Sequence, residues 1–362
     1  MNKKAILLCN LGSPDHPNVP SVRRYLNQFL MDPSVIQLPW LIRRIIVSLF
    51  VLPKRPKASA HAYQQVWMKD GSPLVVLSKK LREAVQKQVK HPVYMAMRYG
   101  NPSIESQVLR IAEDQSIKEI FFIPLYPHYA ESTVKTCILE TQRVIKKHRL
   151  NLKLIIKESF YDEPGYINAL VNSSSIHLFE GQVSKNENID SPHLLFSYHG
   201  LPELHLTKID HTKNHCLKKK GCCEIKSEAH KTCYRHQVLE TTRLFVEKTG
   251  LKNDQYTVAF QSRLGRAKWL EPSTETKLKE LAEQGVKNII VLCPAFVTDC
   301  LETLEEIAIR GNEVFQDAGG QSLKLVPCLN NYPDWVSLVA SWCNDEDLDT
   351  QKVSNIKGEI NG

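Results

Sequence analysis

Apolar residues in this chain fall into two alternating patterns. Short, almost unbroken apolar runs such as AILLCNLG (5–12), IFFIPLY (120–126), LLFSYHG (194–200) and NIIVLCPAF (288–296) have the character of parallel strands covered on both faces. Between them, Val108, Ile111 and Ala112, and later Leu278, Leu281 and Ala282, recur at the spacing of amphipathic helices. Strands alternating with helices predict an α/β fold built on parallel sheets.

The pattern occurs twice. Displaced by 170 residues, segment 102–133 lies without gaps on segment 272–303, with eight of 32 positions identical, among them Pro102/Pro272, Glu105/Glu275, Ala112/Ala282 and Pro124/Pro294. A second echo, at a shift of 188, sets LLCNLGSP (7–14) on LFSYHGLP (195–202), each an apolar strand that leaves through a Gly and Pro turn. The expected architecture is therefore two similar doubly wound, Rossmann-like α/β domains, with functional loops at the carboxyl ends of the strands and a cleft between them. The 362 residues suffice for two such cores. The expected boundaries are 1–160, 161–325 with an insertion at 204–236, a C-terminal helix at 326–345 and a flexible polar tail at 346–362.

The copies differ where chemistry is expected. Leu11 in the first corresponds to His199 in the second, and Ser132 to Glu302, so one copy has an imidazole and a carboxylate where its twin has an apolar group and a hydroxyl. An imidazole at a strand end takes a proton near neutral pH or binds a metal; a histidine that merely caps a turn is the plain alternative. Asp299, Glu302 and Glu306 stand at i, i+3 and i+7, a spacing that predicts one acidic helix face. Acids also favour helix starts for their dipole alone. Hard oxygen ligands beside a histidine suit a divalent cation in transit better than fixed zinc.

Composition narrows the field. With 42% hydrophobic and 24% charged residues, and no apolar run long enough to cross a bilayer, the chain reads as soluble. Met-Asn-Lys-Lys leads straight into a strand, leaving no room for a signal peptide, so a cytoplasmic location is expected and the ten cysteines are expected as thiols or metal ligands. The net charge of +8 lacks the aromatic-studded basic stripe of a nucleic-acid binder, and no nucleotide cofactor is expected. The segment WLIRRIIVSLFVLPKRPK (40–57) fits an amphipathic helix at a cleft mouth, in peripheral contact with a membrane, and fits a core helix equally well.

Seven motifs then give a resemblance. NLGSP (10–14), GSPL (71–74), RYGNP (98–102), LYPHYAEST (125–133), SYHGLPE (197–203), FQSRLGRAKWLEP (260–272) and FVTDCLETLEEI (296–307), in this order across residues 4–343, resemble the motif series of the ferrochelatases. The resemblance implies a lyase that inserts ferrous iron into protoporphyrin IX, giving protoheme in the last step of heme biosynthesis. His199 would be the metal-site histidine and acceptor of pyrrole protons, with Glu302 its carboxylate partner and Glu306 the next acidic step; the track would then meet Arg310. Leu11, Arg98, Tyr126, Ser262 and Trp269 match porphyrin-cleft positions, and Arg55 or Lys57 would meet a propionate. For Tyr126 and Trp269, plain core packing is the alternative. Cys300 stands where other members have histidine. Rival readings are a chelatase for coproporphyrin or sirohydrochlorin, and a heme- or metal-binding protein without turnover. Monomer and homodimer both stay open.

The polar segment after SYHGLPE holds Cys216, Cys222, Cys223 and Cys233 within eighteen residues. Four thiols in a short loop read as a metal or cluster site. Adjacent Cys222 and Cys223 fit awkwardly around one zinc and divide more easily between two irons. The resemblance extends to bacterial ferrochelatases whose internal cysteine-rich insertion holds a 2Fe-2S cluster. Zinc and free or redox-active thiols are the alternatives.

Overall fold

The computed structural model describes residues 3–179, 192–263, 265 and 267–345, so the tail expected at 346–362 lies outside the described residues. The first half runs β1 (Lys3–Ser13), α1 (Val19–Leu30), α2 (Trp40–Ile45), α3 (Arg55–Val66), α4 (Pro73–Gln86), β2 (Val93–Gly100), α5 (Ile104–Ala112), β3 (Ile117–Pro124), α6 (Thr136–Lys147) and β4 (Lys153–Ile156). The second runs α7 (Pro164–Phe179), β5 (His193–His199), α8 (Glu203–Ile209), α9 (Tyr234–Thr249), β6 (Tyr256–Gln261), α10 (Thr274–Glu283), β7 (Asn288–Leu292), α11 (Leu301–Thr303), α12 (Asn312–Asp317), β8 (Ser322–Leu325) and α13 (Pro333–Asn344). Each half builds a four-stranded parallel sheet, in the orders β2-β1-β3-β4 and β6-β5-β7-β8.

The repeat extends to local detail. Ser103 caps α5 by accepting from the Ser106 N–H, and Ser273 caps α10 by accepting from the Thr276 N–H, a displacement of 170 at both residues. Pro102 and Pro272 both follow cis peptide bonds, and their carbonyls accept from Met97 N and Phe260 N at 2.7 and 2.8 Å. The elements after β3 and β7 contain wide π turns, at Glu131–Lys135 and Leu304–Gly311. Gly12 and Gly200 stand at matched positions where the first strand of each sheet ends. A Cβ on Gly12 would lie 1.7 Å from Tyr99 O and one on Gly200 2.9 Å from Gln261 O, so the neighbouring strand leaves no space for a side chain.

One hydrophobic cluster spans both halves, and each half lends the other a helix. The α7 helix follows the first sheet but covers the second, where the Tyr166 hydroxyl donates to Pro294 O at 2.6 Å. The α13 helix follows the second sheet but packs on α4 of the first, and Trp342 Nε1 donates to Glu163 at 2.6 Å. Phe160, Trp335 and Trp342 pack with one another between them.

Segment 40–57 corrects an expectation. It breaks into α2, a π turn over Ile46–Val51 and the start of α3, and its apolar face is outermost. Trp40, Leu41, Ile42, Ile45, Leu49 and Phe50 are exposed, at 62, 63, 48, 44, 66 and 69%. Arg43 is buried instead, because Ile36 O and Leu38 O need its guanidinium as a donor, at 3.2 and 2.8 Å. The core-helix alternative is thereby excluded.

Candidate active site

Two strand ends and one helix start meet on the second sheet. His199 ends β5, and its Nδ1 faces Gly200 O at 2.6 Å; an N–H there fixes the tautomer that leaves Nε2 free to accept. The Phe296 ring stands edge-on to it, with centroids 6.2 Å apart, and Trp269 packs on the adjoining Gly200. Gln261, which ends β6, pairs with His199 in the sheet and donates from Nε2 to Glu302 O at 2.8 Å, which anchors α11 beside the histidine.

The acidic face predicted from residues 299, 302 and 306 is only partly present. Cys300, in extended conformation, is the N-cap of α11, so Asp299 lies outside the helix. The Asp299 carboxylate accepts from Asn330 Nδ2 at 2.7 Å, Thr303 Oγ1 at 2.9 Å and Cys328 N at 3.2 Å, and ties the loop before α13 in place. Glu302 and Glu306 remain. Glu306 accepts from Ser262 N at 2.8 Å and from Ser262 Oγ, and lies within electrostatic reach of His199, Glu302 and Arg310. Burial raises the Glu306 carboxyl above the ordinary range and Glu302 adds to this, against the hydrogen bond from Ser262 and the attraction of His199. Ser262 holds this position with φ at +66°, a left-handed conformation that serine adopts only under local constraint. Arg310 is tied to Glu305 at 2.9 Å, so the acidic line stops one turn past Glu306.

The first half supplies the opposite wall. Leu11 packs with α1, α3 and Leu301 in a separate apolar cluster, which brings the lip against the start of α11. Tyr25 and Tyr63 in this cluster are buried close enough to Glu302 that burial first, and its charge second or third, hold both phenols protonated. Sequence reasoning missed both tyrosines, which lie in a lip that has no counterpart in the repeat. It also missed Phe296, although Phe296 is the twin of Tyr126 at the shift of 170.

Other expected contacts lie farther from this cluster. Arg98 Nη2 donates to Asp32 at 2.6 Å and Nε to Thr136 at 2.8 Å, and the guanidinium lies 4.6 Å from the Tyr99 ring centroid. Tyr126 packs against the first sheet's core, and its buried hydroxyl has no hydrogen-bond partner among the described residues. Arg55 and Lys57 are exposed on the first turn of α3.

In the insertion, Cys216 and Cys223 each lie within electrostatic reach of Cys233 and of Cys222. Cys233 is the N-cap of α9. Cys216 chiefly, then Cys223 and the His236 N–H, favour its thiolate and hold it well below the ordinary thiol range. Asp210 accepts from His215 N and Cys216 N at 2.9 and 2.8 Å and holds the loop's turn.

The ferrochelatase family model matches residues 3–347. The chain belongs to the ferrochelatase family. Proteins named ferrochelatase from Stutzerimonas stutzeri, Ectopseudomonas mendocina and Azotobacter vinelandii are 54, 54 and 51% identical to it, each over 95% of this chain and 98, 98 and 99% of their own. Among solved structures, SirB from Bacillus subtilis with Fe3+, and the sirohydrochlorin chelatase SirB of subspecies spizizenii in complex with cobalt, superpose with TM-scores of 0.53 and 0.52. Identity is 11 and 12%, over 96% of this chain and 98% of theirs, which establishes a common chelatase fold. The ferrochelatase family and the two matched sheets agree with the architecture expected from the repeat.

Proposed function

We infer that this chain is a ferrochelatase, a metal chelatase of the lyase class that inserts ferrous iron into protoporphyrin IX, with His199 and Glu302 as its catalytic pair. What supports the assignment of these residues is that Glu302, on the helix start held by Gln261, and Glu306 lie by the end of the His199 strand, while the matched positions of the other half hold Leu11, Ser132 and Thr136. Insertion exchanges two pyrrole protons for one dication. His199, whose Nδ1 is committed to Gly200 O, accepts the two pyrrole protons in turn at Nε2. Glu306, whose carboxyl binds protons more readily than an exposed acid, takes each onward, and Glu302 neutralises the incoming iron. The apolar wall of Leu11 and the rings of Tyr126 and Trp269 take the face of the macrocycle, and clamping a flat ring against such walls exposes its nitrogen lone pairs. The test is to supply purified protein with ferrous iron and protoporphyrin under anaerobic conditions and follow the protoheme spectrum. Faster turnover of coproporphyrin or sirohydrochlorin would reassign the substrate.

The number of thiols in the insertion supports a 2Fe-2S cluster. A binuclear cluster asks only two thiolates of each iron, and Cys216, Cys222, Cys223 and Cys233 supply that number. Protein purified without oxygen should show sulfur-to-iron charge-transfer bands and matching acid-labile sulfide; a colourless, zinc-containing preparation would overturn this assignment.

The exposed apolar lip supports peripheral contact of a cytoplasmic enzyme with a membrane. No helix among the described residues is long and apolar enough to cross one, and six exposed apolar side chains on α2 and the turn beyond it form a shallow interfacial surface. Flotation with phospholipid vesicles should be lost when Trp40, Leu49 and Phe50 are replaced by serine.

A further inference from the structure

Tyr234 joins the insertion to the cleft. It directly follows Cys233, the thiol on which Cys216 and Cys223 converge, and its hydroxyl donates to the main-chain carbonyl of His199 at 2.8 Å. The residue is 5% exposed, and its ring is held edge-on by His128, with centroids 5.8 Å apart. The His199 carbonyl and the Gly200 N–H belong to one rigid peptide plane. Tyr234 holds the first end, and Gln261 O accepts from the second at 2.7 Å. The next carbonyl along, Gly200 O, orients the His199 ring through Nδ1 at 2.6 Å. A rotation of this plane therefore turns the imidazole.

We propose that Tyr234 is a positioning residue through which the cysteine-rich insertion fixes the orientation of His199. One covalent step and one hydrogen bond separate the thiol group from the histidine main chain, so any change that displaces Cys233 displaces the start of α9 and the hydroxyl with it. The proposal deepens the reading of His199 given above and rests on it.

The test uses the full-length enzyme with ring-labelled histidine, the His199 signals being those lost in His199→Ala. Tyr234→Phe keeps the ring and removes only the hydroxyl. It should shift the His199 signals and lower kcat about fivefold, the effect of one lost hydrogen bond, with KM for protoporphyrin within about twofold. Cys216→Ser should shift the same signals in the same direction. Tyr198→Phe is the control: it removes a buried hydroxyl that meets Thr242 at 2.7 Å, from a ring that also packs on His128. Alternation along β5 sends it to the other face of the sheet from His199, so it should lower stability and leave the His199 signals in place. Unmoved His199 signals in Tyr234→Phe or in Cys216→Ser, or an equal shift in Tyr198→Phe, would overturn the proposal. If His199→Ala keeps the full rate, the catalytic reading fails instead, and the signals in Tyr234→Phe still decide this one.

Discussion

The two sheets have one topology and opposite chemistry at their strand ends. In each, a residue at or just past the end of the second strand donates to a buried carboxylate, which lies outside the repeat in the first half and on the helix after the third strand in the second. In the first half that carboxylate is Asp32, which accepts from Tyr99 Oη at 2.8 Å and Thr136 Oγ1 at 2.6 Å. In the second it is Glu306, the twin of Thr136, which accepts from Ser262. The difference is a cation. Arg98 meets Asp32 at 2.6 Å in the first half, while the second half has Gln261 at the end of β6 and leaves Glu306 beside His199. Burial alone would raise the Asp32 carboxyl, but hydrogen bonds from Thr136 and Ser34 N and the Arg98 charge hold it below the ordinary range. One strand end is neutralised and closed; its twin keeps a proton acceptor. The proposed proton acceptor thus lies on the copy without the cation.

The largest effect should come from making the reactive wall resemble the inert one. His199→Leu copies Leu11 into the second half and should reduce kcat by about a thousandfold, the middle of the range for one general base, or about 4 kcal/mol of barrier. Leu11→Ala, in steady-state assays, should act mainly on KM. Comparable losses of kcat from both would make the asymmetry irrelevant to chemistry.

Opening the inert wall should come next. Arg98→Met leaves the Asp32 carboxylate buried without its cation and should cost about 3 kcal/mol in urea unfolding, largely restored by adding Asp32→Asn. If stability holds and KM for porphyrin rises instead, Arg98 is a substrate contact after all. Glu302→Gln should follow, with a fall in kcat of about a hundredfold, or about 2.7 kcal/mol. Ser132→Ala, at the twin position, should change the rate by less than about twofold.

Most of the frame was legible because its signals are local and doubled. Strands buried on both faces read as apolar runs, and the capping serines, prolines and glycines recur at fixed displacements, so two copies corroborate each other. The proposed pair, His199 and Glu302, stands out in the sequence for the complementary reason, as the places where the copies disagree. What escaped depends on contacts distant in sequence. Asp299 reads as part of an acidic helix until the extended Cys300 and the partners Asn330 and Cys328 place it in a loop anchor. Arg43 reads as the polar interruption of an apolar helix until two carbonyls without helical partners draw it inward. Tyr25 and Tyr63 belong to an insertion present in one copy only, so no internal comparison marks them.

The smallest effect should have the sign least expected of a catalytic residue. The Glu306 carboxyl is raised in the folded protein, chiefly by burial. The folded state therefore binds this proton more tightly than the unfolded chain does, and ionising the group costs stability. That cost is absent below the unfolded value, about 4.3 for glutamate, and complete above the raised folded value. Glu306→Gln keeps an oxygen to accept from Ser262 and removes the charge. Thermal unfolding should show it more stable than the parent at pH 7.5, by less than about 1 kcal/mol since the group is only partly buried, with the gain gone at pH 4. Iron insertion should slow in the same variant, because the onward proton acceptor is lost. Thr136→Val, at the twin position, should do the opposite, lowering stability through a lost hydrogen bond to Asp32 and leaving insertion unchanged. A Glu306→Gln protein that is less stable at pH 7.5 than its parent would mean that the second wall is as well neutralised as the first, and that the comparison misplaces the free acceptor.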